Sequence, residues 1–261
     1  HERGLGVVGL DWSQIRTIDF LPTPHNLDLI FGMPLYGTVE SVRKERFKGL
    51  IIWDNDEHVG SDKLDGDAKD GKMAIRFDDI SSIEKKGAGS QVTLLSGREV
   101  FLTGSNDVNG DNRGVVVITE DLGIVKLSWQ AFRKIDFSPA PHTGPTYAEF
   151  DDPSVLKGKI SQLDGNDLAG RIVFDIDEAV DFEFLEGMEN DIEYHIPFRM
   201  IRKITPKNYD YSMVELLSGK TLLLGGLRDV SSKNGGLLVF REGEKEPAFV
   251  PWKKIYEIVF D

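Results

Sequence analysis

The chain contains no cysteine. That excludes disulfides, thiolate metal sites and cysteine nucleophiles together. It leaves the redox compartment open, because a chain without thiols is safe in either. No apolar run approaches the roughly 18 residues that a membrane-spanning helix needs. Positive charge is scarce: 31 Lys+Arg stand against 44 Asp+Glu, a net charge of −13. Phosphate-rich partners need a basic face, so the balance tells against nucleic acid. Helical periodicity is missing too, since no window of about twelve residues keeps a clean 3.6 period. The best helical candidate is the short linker stretch 145–154, PTYAEFDDPS. No G-x-S-x-G appears, and no histidine sits in a metalloprotease motif. His25 and His142 each close a P-x-P-H turn, which reads as a repeated linker turn.

What the 261 residues do contain is a repeat. Self-similarity at a fixed spacing outranks other signals, because missing it misreads the fold. An element with an aromatic followed by two aliphatics three apart occurs five times. It reads LDWSQIRTIDF at 10–20, IRFDDISSIEK at 75–85, LSWQAFRKIDF at 127–137, IPFRMIRKITP at 196–206 and VPWKKIYEIVF at 250–260. Its anchors are Trp12, Phe77, Trp129, Phe198 and Trp252, at spacings of 65, 52, 69 and 54. Long and short steps alternate, so the period is about 120 residues with two unlike halves, A and B.

The rest of each unit follows the same offsets. In the A units, Gly37, Gly49, Ile51, Asp54, Asp56, Glu57 and Gly66 find identical residues 121 positions later. In the B units, Gly104, Asp107, Val108, Asn112 and Gly114 do so at 122. Residues 6–20 match 123–137 at 8 of 15 positions, so the N-terminal segment carries the sequence of a B-unit tail. The expected division is a partial unit with linker at 1–32, A at 33–87, B at 88–138, a linker at 139–153, A′ at 154–206 and B′ at 207–261.

Every repeated segment is short, β-branched or aromatic, and bounded by Gly, Asn or Asp, which predicts strands of five to seven residues. Ser-Gly at 96–97 and 218–219 marks hairpins. The recurring aromatic element predicts strand, one 3₁₀-type turn, strand. The expectation is an all-β chain of tandem small barrels, two unlike barrels per repeat. In the A units, G-x-I-x-x-D-x-D-E followed by I-x-F-x-x-I-x-x-I resembles the Sm-like and PRC-type small barrels over roughly 50 residues. The whole chain resembles a family of uncharacterised, exported bacterial proteins with tandem barrels. That resemblance implies a fold and an exported location. A chain that starts at His1 is also what signal-peptide removal would leave.

Three groups of side chains are candidates for chemistry. Asp54, Asp56 and Glu57 recur as Asp175, Asp177 and Glu178. In a strand, positions i and i+2 share a face, so the carboxylates could take one hard cation such as calcium. The competing reading has the aspartates capping a turn through backbone N–H groups, with the carboxylates crowded and solvated. Asp107, Asn109 and Asp111 look like the start of a calcium loop. However, Asn112 stands where Gly belongs, and Ser231 and Lys233 replace Asn109 and Asp111 in the second copy. The five aromatic anchors invite a stacking role, but a large ring repeated once per unit most simply fills a core.

Charge is uneven, with 11 acids against 6 bases over 154–206 and 8 of each over 207–261. These features point to a non-catalytic, exported binding or scaffolding module with no obligate cofactor. Its partners would be a protein or a glycan, or a second copy exchanging its N-terminal strand. A hydrolase acting on glycan or peptide through acidic residues at a barrel junction is the enzymatic alternative. Sm-like nucleic-acid binding is the alternative that charge disfavours.

Overall fold

The computed structural model describes residues 8–21, 32–141 and 151–261. Contact density divides the chain into residues 1–28 with 142–152, and residues 29–141 with 153–261. Among the described residues the second unit holds every strand, and the fold is all-β. Its short turns match the predicted punctuation.

The first half runs β1 (Tyr36–Ser41), β2 (Arg46–Trp53), β3 (Lys63–Ala68), β4 (Gly71–Arg76), β5 (Ile80–Lys86), β6 (Gly89–Leu94), β7 (Glu99–Leu102), β8 (Val115–Thr119), β9 (Gly123–Leu127) and β10 (Phe132–Phe137). The second half repeats it with β11 (Lys157–Gln162), β12 (Leu168–Val173), β13 (Phe184–Glu189), β14 (Ile192–Pro197), β15 (Ile201–Pro206), β16 (Tyr211–Leu216), β17 (Thr221–Gly225), β18 (Leu237–Phe240), β19 (Ala248–Val250) and β20 (Ile255–Phe260).

Hydrogen bonding orders the first half β7-β6-β5-β10-β1-β2-β8-β9, all antiparallel. The β3-β4 hairpin joins β7 through the bridge between Asp67 and Thr103. The second half reads β14-β13-β17-β16-β15-β20-β11-β12-β18-β19. The halves join where β9 pairs with β14, Ile192 opposite Leu127 and Glu193 opposite Lys126. Lys126 Nζ lies 3.0 Å from Glu193 Oε1 across that pair.

This order corrects the tandem-barrel expectation. Eighteen strands form one sheet, and no sheet closes. The A and B units are not separate barrels, because B strands pair directly with A strands: β10 and β8 flank β1 and β2, as β20 and β18 flank β11 and β12. The repeated glycines mark those seams. A Cβ on Gly49 would meet the Ile118 carbonyl oxygen at 2.0 Å, and one on Gly170 would meet that of Phe240 at 2.3 Å. Sequence similarity to a barrel encodes strand lengths and turns, whereas partner choice depends on residues 60 or more positions away.

Alternation of buried and exposed positions along β1 and β2 gives one core-facing row per strand. Trp53 is the centre of the first half, with ring centroids 5.2 Å from Phe132, 6.1 Å from Trp129 and 6.4 Å from Phe77. Phe174 takes its place in the second half, 5.1 Å from Phe198 and 5.9 Å from Trp252. Four of the repeated anchors are therefore buried core residues. The 3₁₀ turn is present at Phe77–Asp79, Phe198–Met200 and Trp252–Lys254.

In the first unit the same turn forms at Trp12–Gln14, closed by Asp11 N–H donating to Gln14 Oε1 at 3.0 Å. There Trp12 is 80% exposed, so it is not the core anchor that its repeat position implied. Its segment carries the turn but not the B-unit body that buries the equivalent ring. His25, His142 and most of the helical candidate 145–154 lie outside the described residues. No helix among the described residues is long and apolar enough to cross a membrane.

Candidate functional site

Each D-x-D-E segment is the tight turn that ends β2 or β12. Asp54 and Asn55 both take left-handed φ values, 46° and 67°, as do Asp175 and Ile176 at 49° and 64°. Asp and Asn tolerate that region. Two successive left-handed residues match the twist of a hairpin. The turn closes as Asp56 N–H donates to the Trp53 carbonyl at 3.1 Å, and Asp177 N–H to that of Phe174 at 2.9 Å.

The left-handed turn drives the first aspartate inward. Asp54 is 0% exposed and accepts the Arg113 backbone N–H at 2.5 Å and Arg113 Nε at 3.2 Å. Asn106 Nδ2 also donates to it. Asp175 accepts the Gly235 backbone N–H and lies 2.8 Å from Arg228 Nε. These aspartates do accept backbone N–H groups, but from the B-unit loop and not from the local turn that the capping reading expected. Each aspartate fastens an A turn to a B loop.

The second repeated carboxylate completes the arrangement. Asp107 Oδ2 accepts the Asp65 N–H at 2.7 Å, and Asp229 Oδ2 accepts the Glu186 N–H at 2.7 Å. Asn112 Nδ2 donates to the Asp107 carbonyl, and its Oδ1 accepts the Gly114 N–H at 2.8 Å; Asn234 does the same around Asp229. Of the calcium-loop candidates, Asp107 is thereby committed to β3, and Asn109 Oδ1 accepts the Asp111 N–H at 2.8 Å. Asp111 is exposed.

The glutamates behave differently from the sequence expectation of solvated carboxylates. Glu57 Oε2 and Glu178 Oε2 are buried and meet no hydrogen-bond partner among the described residues. Burial pushes the Glu57 carboxyl up to about 9, helped by its hydrogen bond to Asp56 and by the charges of Asp107, Asp56 and Asp54. Burial and the Asp229 charge push Glu178 up to about 8. Asp229 itself rises to about 6, chiefly through burial. Each half therefore holds a buried glutamate whose carboxyl is pushed well above the usual carboxylate range by burial and by neighbouring acids.

Oxygens of Asp54, Asp56 and Glu57 lie within 4.8 Å of one another, a spacing a hard cation could bridge. The Arg113 guanidinium already pairs with two of them, at 3.2 Å from Asp54 and 2.6 Å from Asp56. In the second half Asp175, Glu178 and Asp229 border a cavity of about 510 Å³ that Arg228 also lines. Sequence reading missed these arginines. The signal was present at the 122-residue offset, where Asn106 aligns with Arg228 and Arg113 with Gly235. The cation moves from one end of the loop to the other and still reaches the buried aspartate.

No family model matches the chain, and neither a curated protein nor a solved structure does.

Proposed function

We propose that this chain is a non-catalytic scaffolding and binding module, exported from the cell, that recruits protein partners by strand addition. The observation that carries the reading is the β9–β14 junction. There one half docks on the next by edge pairing, with Tyr194 opposite Val125 and its ring packed edge-on against Phe47 of the first half at 6.2 Å. The counterpart of β14 in the first half is β4, and the described strands leave its outer edge unpaired. Burial reflects that difference: β14 reads buried at Ile192, Tyr194 and Ile196, whereas Met73 and Ile75 in β4 are only half-buried. Open edges of this kind accept a further strand.

The occupant we assign is the N-terminal segment of a second copy, because residues 6–10 carry the β9 sequence. The junction register transfers as Leu10 opposite Gly71, Gly9 opposite Lys72 and Val8 opposite Met73. Reciprocal exchange closes a twofold dimer. Asp54 and Asp175, already held by arginine and backbone N–H groups, weigh against the hydrolase alternative, because a general base must be free to take a proton. Glycan and nucleic-acid partners have no comparable feature supporting them. The lack of thiols is compatible with export, and the resemblance to exported tandem-repeat proteins supports it.

The test is the solution mass by light scattering. The full chain should be a dimer at micromolar concentration, and a variant lacking residues 1–14 should be a monomer with the same far-ultraviolet spectrum. A monomeric full chain overturns the reading.

A further inference from the structure

A cleft of about 330 Å³ opens in the second half beside the last 3₁₀ turn, lined by Leu163, Pro206, Tyr209, Trp252, Lys253 and Tyr256 among others. Its counterpart in the first half is plugged. There Lys85, the residue aligned with Pro206, lays its chain across Trp129, with Nζ 5.8 Å from the ring centroid. The Lys85 ammonium donates to the carbonyls of Trp129 and Gln130 at 2.7 and 3.1 Å. Proline has neither the length nor the donor to do this, so no side chain from that position spans the turn in the second half, although Trp252 is as buried as Trp129, 6% against 7% exposed.

Two further observations show that the open cleft is suited to a ligand. Trp252 is only 6% exposed, and its Nε1 is buried without any hydrogen-bond partner among the described residues. A buried indole N–H without an acceptor is costly, and a carbonyl arriving from a ligand would satisfy it. Tyr209 and Tyr256 hold their rings in solvent at the rim, 79% and 56% exposed. The charged side chains in the lining, Lys207 and Lys253, are both cationic.

We propose that this cleft binds an extended, proline-containing acidic peptide. A polyproline-type strand has unpaired carbonyls and flat apolar rings, and it loses little conformational entropy on binding. Aromatic-lined grooves recognise it for those reasons. Here Tyr209 and Tyr256 flank the prolines, Trp252 Nε1 donates to a peptide carbonyl, and the two lysines select acidic flanks. A neutral sugar would leave both lysines unused, and the carboxylates that usually take sugar hydroxyls are absent from this lining. The inference does not rest on strand addition at β4, which lies in the other half.

The probe is an acetylated and amidated hexapeptide, Pro-Glu-Pro-Pro-Glu-Pro, titrated into the isotopically labelled full chain. The Trp252 indole N–H resonance should move downfield and saturate with a Kd of about 0.1–1 mM, while the Trp53 and Trp129 indoles stay in place. Pro206→Lys, which imports the plug of the first half, should abolish the shift. Tyr209→Ala combined with Tyr256→Ala changes only exposed rings and should weaken binding about tenfold or more. Lys253→Glu, or a peptide with lysine in place of glutamate, should also weaken it. An unmoved Trp252 resonance at about 10 mM peptide overturns the proposal. So does an undiminished response in Pro206→Lys, or a Trp252 shift with chitotriose and none with peptide. None of these outcomes depends on the dimer mass.

Discussion

Asp54 and Arg113 are 59 positions apart in the chain, and the arginine supplies both a backbone and a guanidinium N–H to the one buried carboxylate. In the second half the same two functions are divided between Gly235 and Arg228. The loop is constrained by what the aspartate requires, not by the identity of any single loop residue.

Removing the aspartate should therefore cost more than removing the arginine. Asp54→Ala strands the Arg113 N–H and should destabilise the chain by about 3 kcal/mol, read as a lower urea midpoint. Arg113→Gly should also lower the midpoint. Adding Asn106→Arg to it rebuilds the second-half solution in the first half and should recover most of the loss. No recovery would show that the two arrangements are not interchangeable.

The two buried glutamates predict a pH dependence of definite sign. Their folded values, about 9 and about 8, lie above the ordinary 4.5. Below 4.5 both states are protonated and the groups contribute nothing to the slope. As pH rises from there towards 8–9, only the unfolded chain gives up its protons, so stability falls. The double variant Glu57→Gln, Glu178→Gln should lose less stability than wild type between pH 5 and pH 8. Parallel urea midpoints for the two proteins would refute the burial of these acids.

Calcium should not stabilise the chain, because Arg113 and Arg228 already neutralise the aspartates that a cation would need. Thermal melts in millimolar calcium and in chelator should coincide. A rise in Tm with calcium would mean that a cation binds the folded state and that Arg113 moves aside to admit it.

Gly49→Ala and Gly170→Ala test the A–B seams. A methyl group there collides with a backbone carbonyl, and neither backbone can give way without breaking β2–β8 or β12–β18 pairing. Each should cost about 1–3 kcal/mol or more. Gly97→Ala also introduces strain, since Gly97 has a φ of 83°, but its Cβ would meet nothing within 4 Å. Comparing the chemical denaturation of the Gly49 variant, where φ is not left-handed, with that of the Gly97 variant separates steric crowding at the seam from strain in a hairpin, while Gly170, with a φ of 153°, combines the two.

The edge at β19 contrasts with the edge at β4. Pro247 stands at the position of Ile124, which faces His195 of β14. Proline has no N–H to offer a further strand, so this end of the sheet is blunted while the described strands leave the outer edge of β4 unpaired.

The all-β class, the duplication, the hairpins and the 3₁₀ turns were legible from sequence, because each is written within about ten residues by alternation, turn chemistry or ring spacing. That Asp54 and Asp175 would accept backbone N–H groups was legible too, as one of two readings. The source of their N–H groups was not, since it lies in another unit. Strand partnership belongs to the tertiary structure alone. Nothing local to β1 says that β10 will flank it, and that pairing turned expected barrels into one open sheet. The same holds for the side chains with unusual chemistry. Trp12, Trp129 and Trp252 share one sequence element. The first is exposed, the second lies under a lysine, and the third is left with a buried N–H, because burial is decided by whichever distant residues pack against each ring.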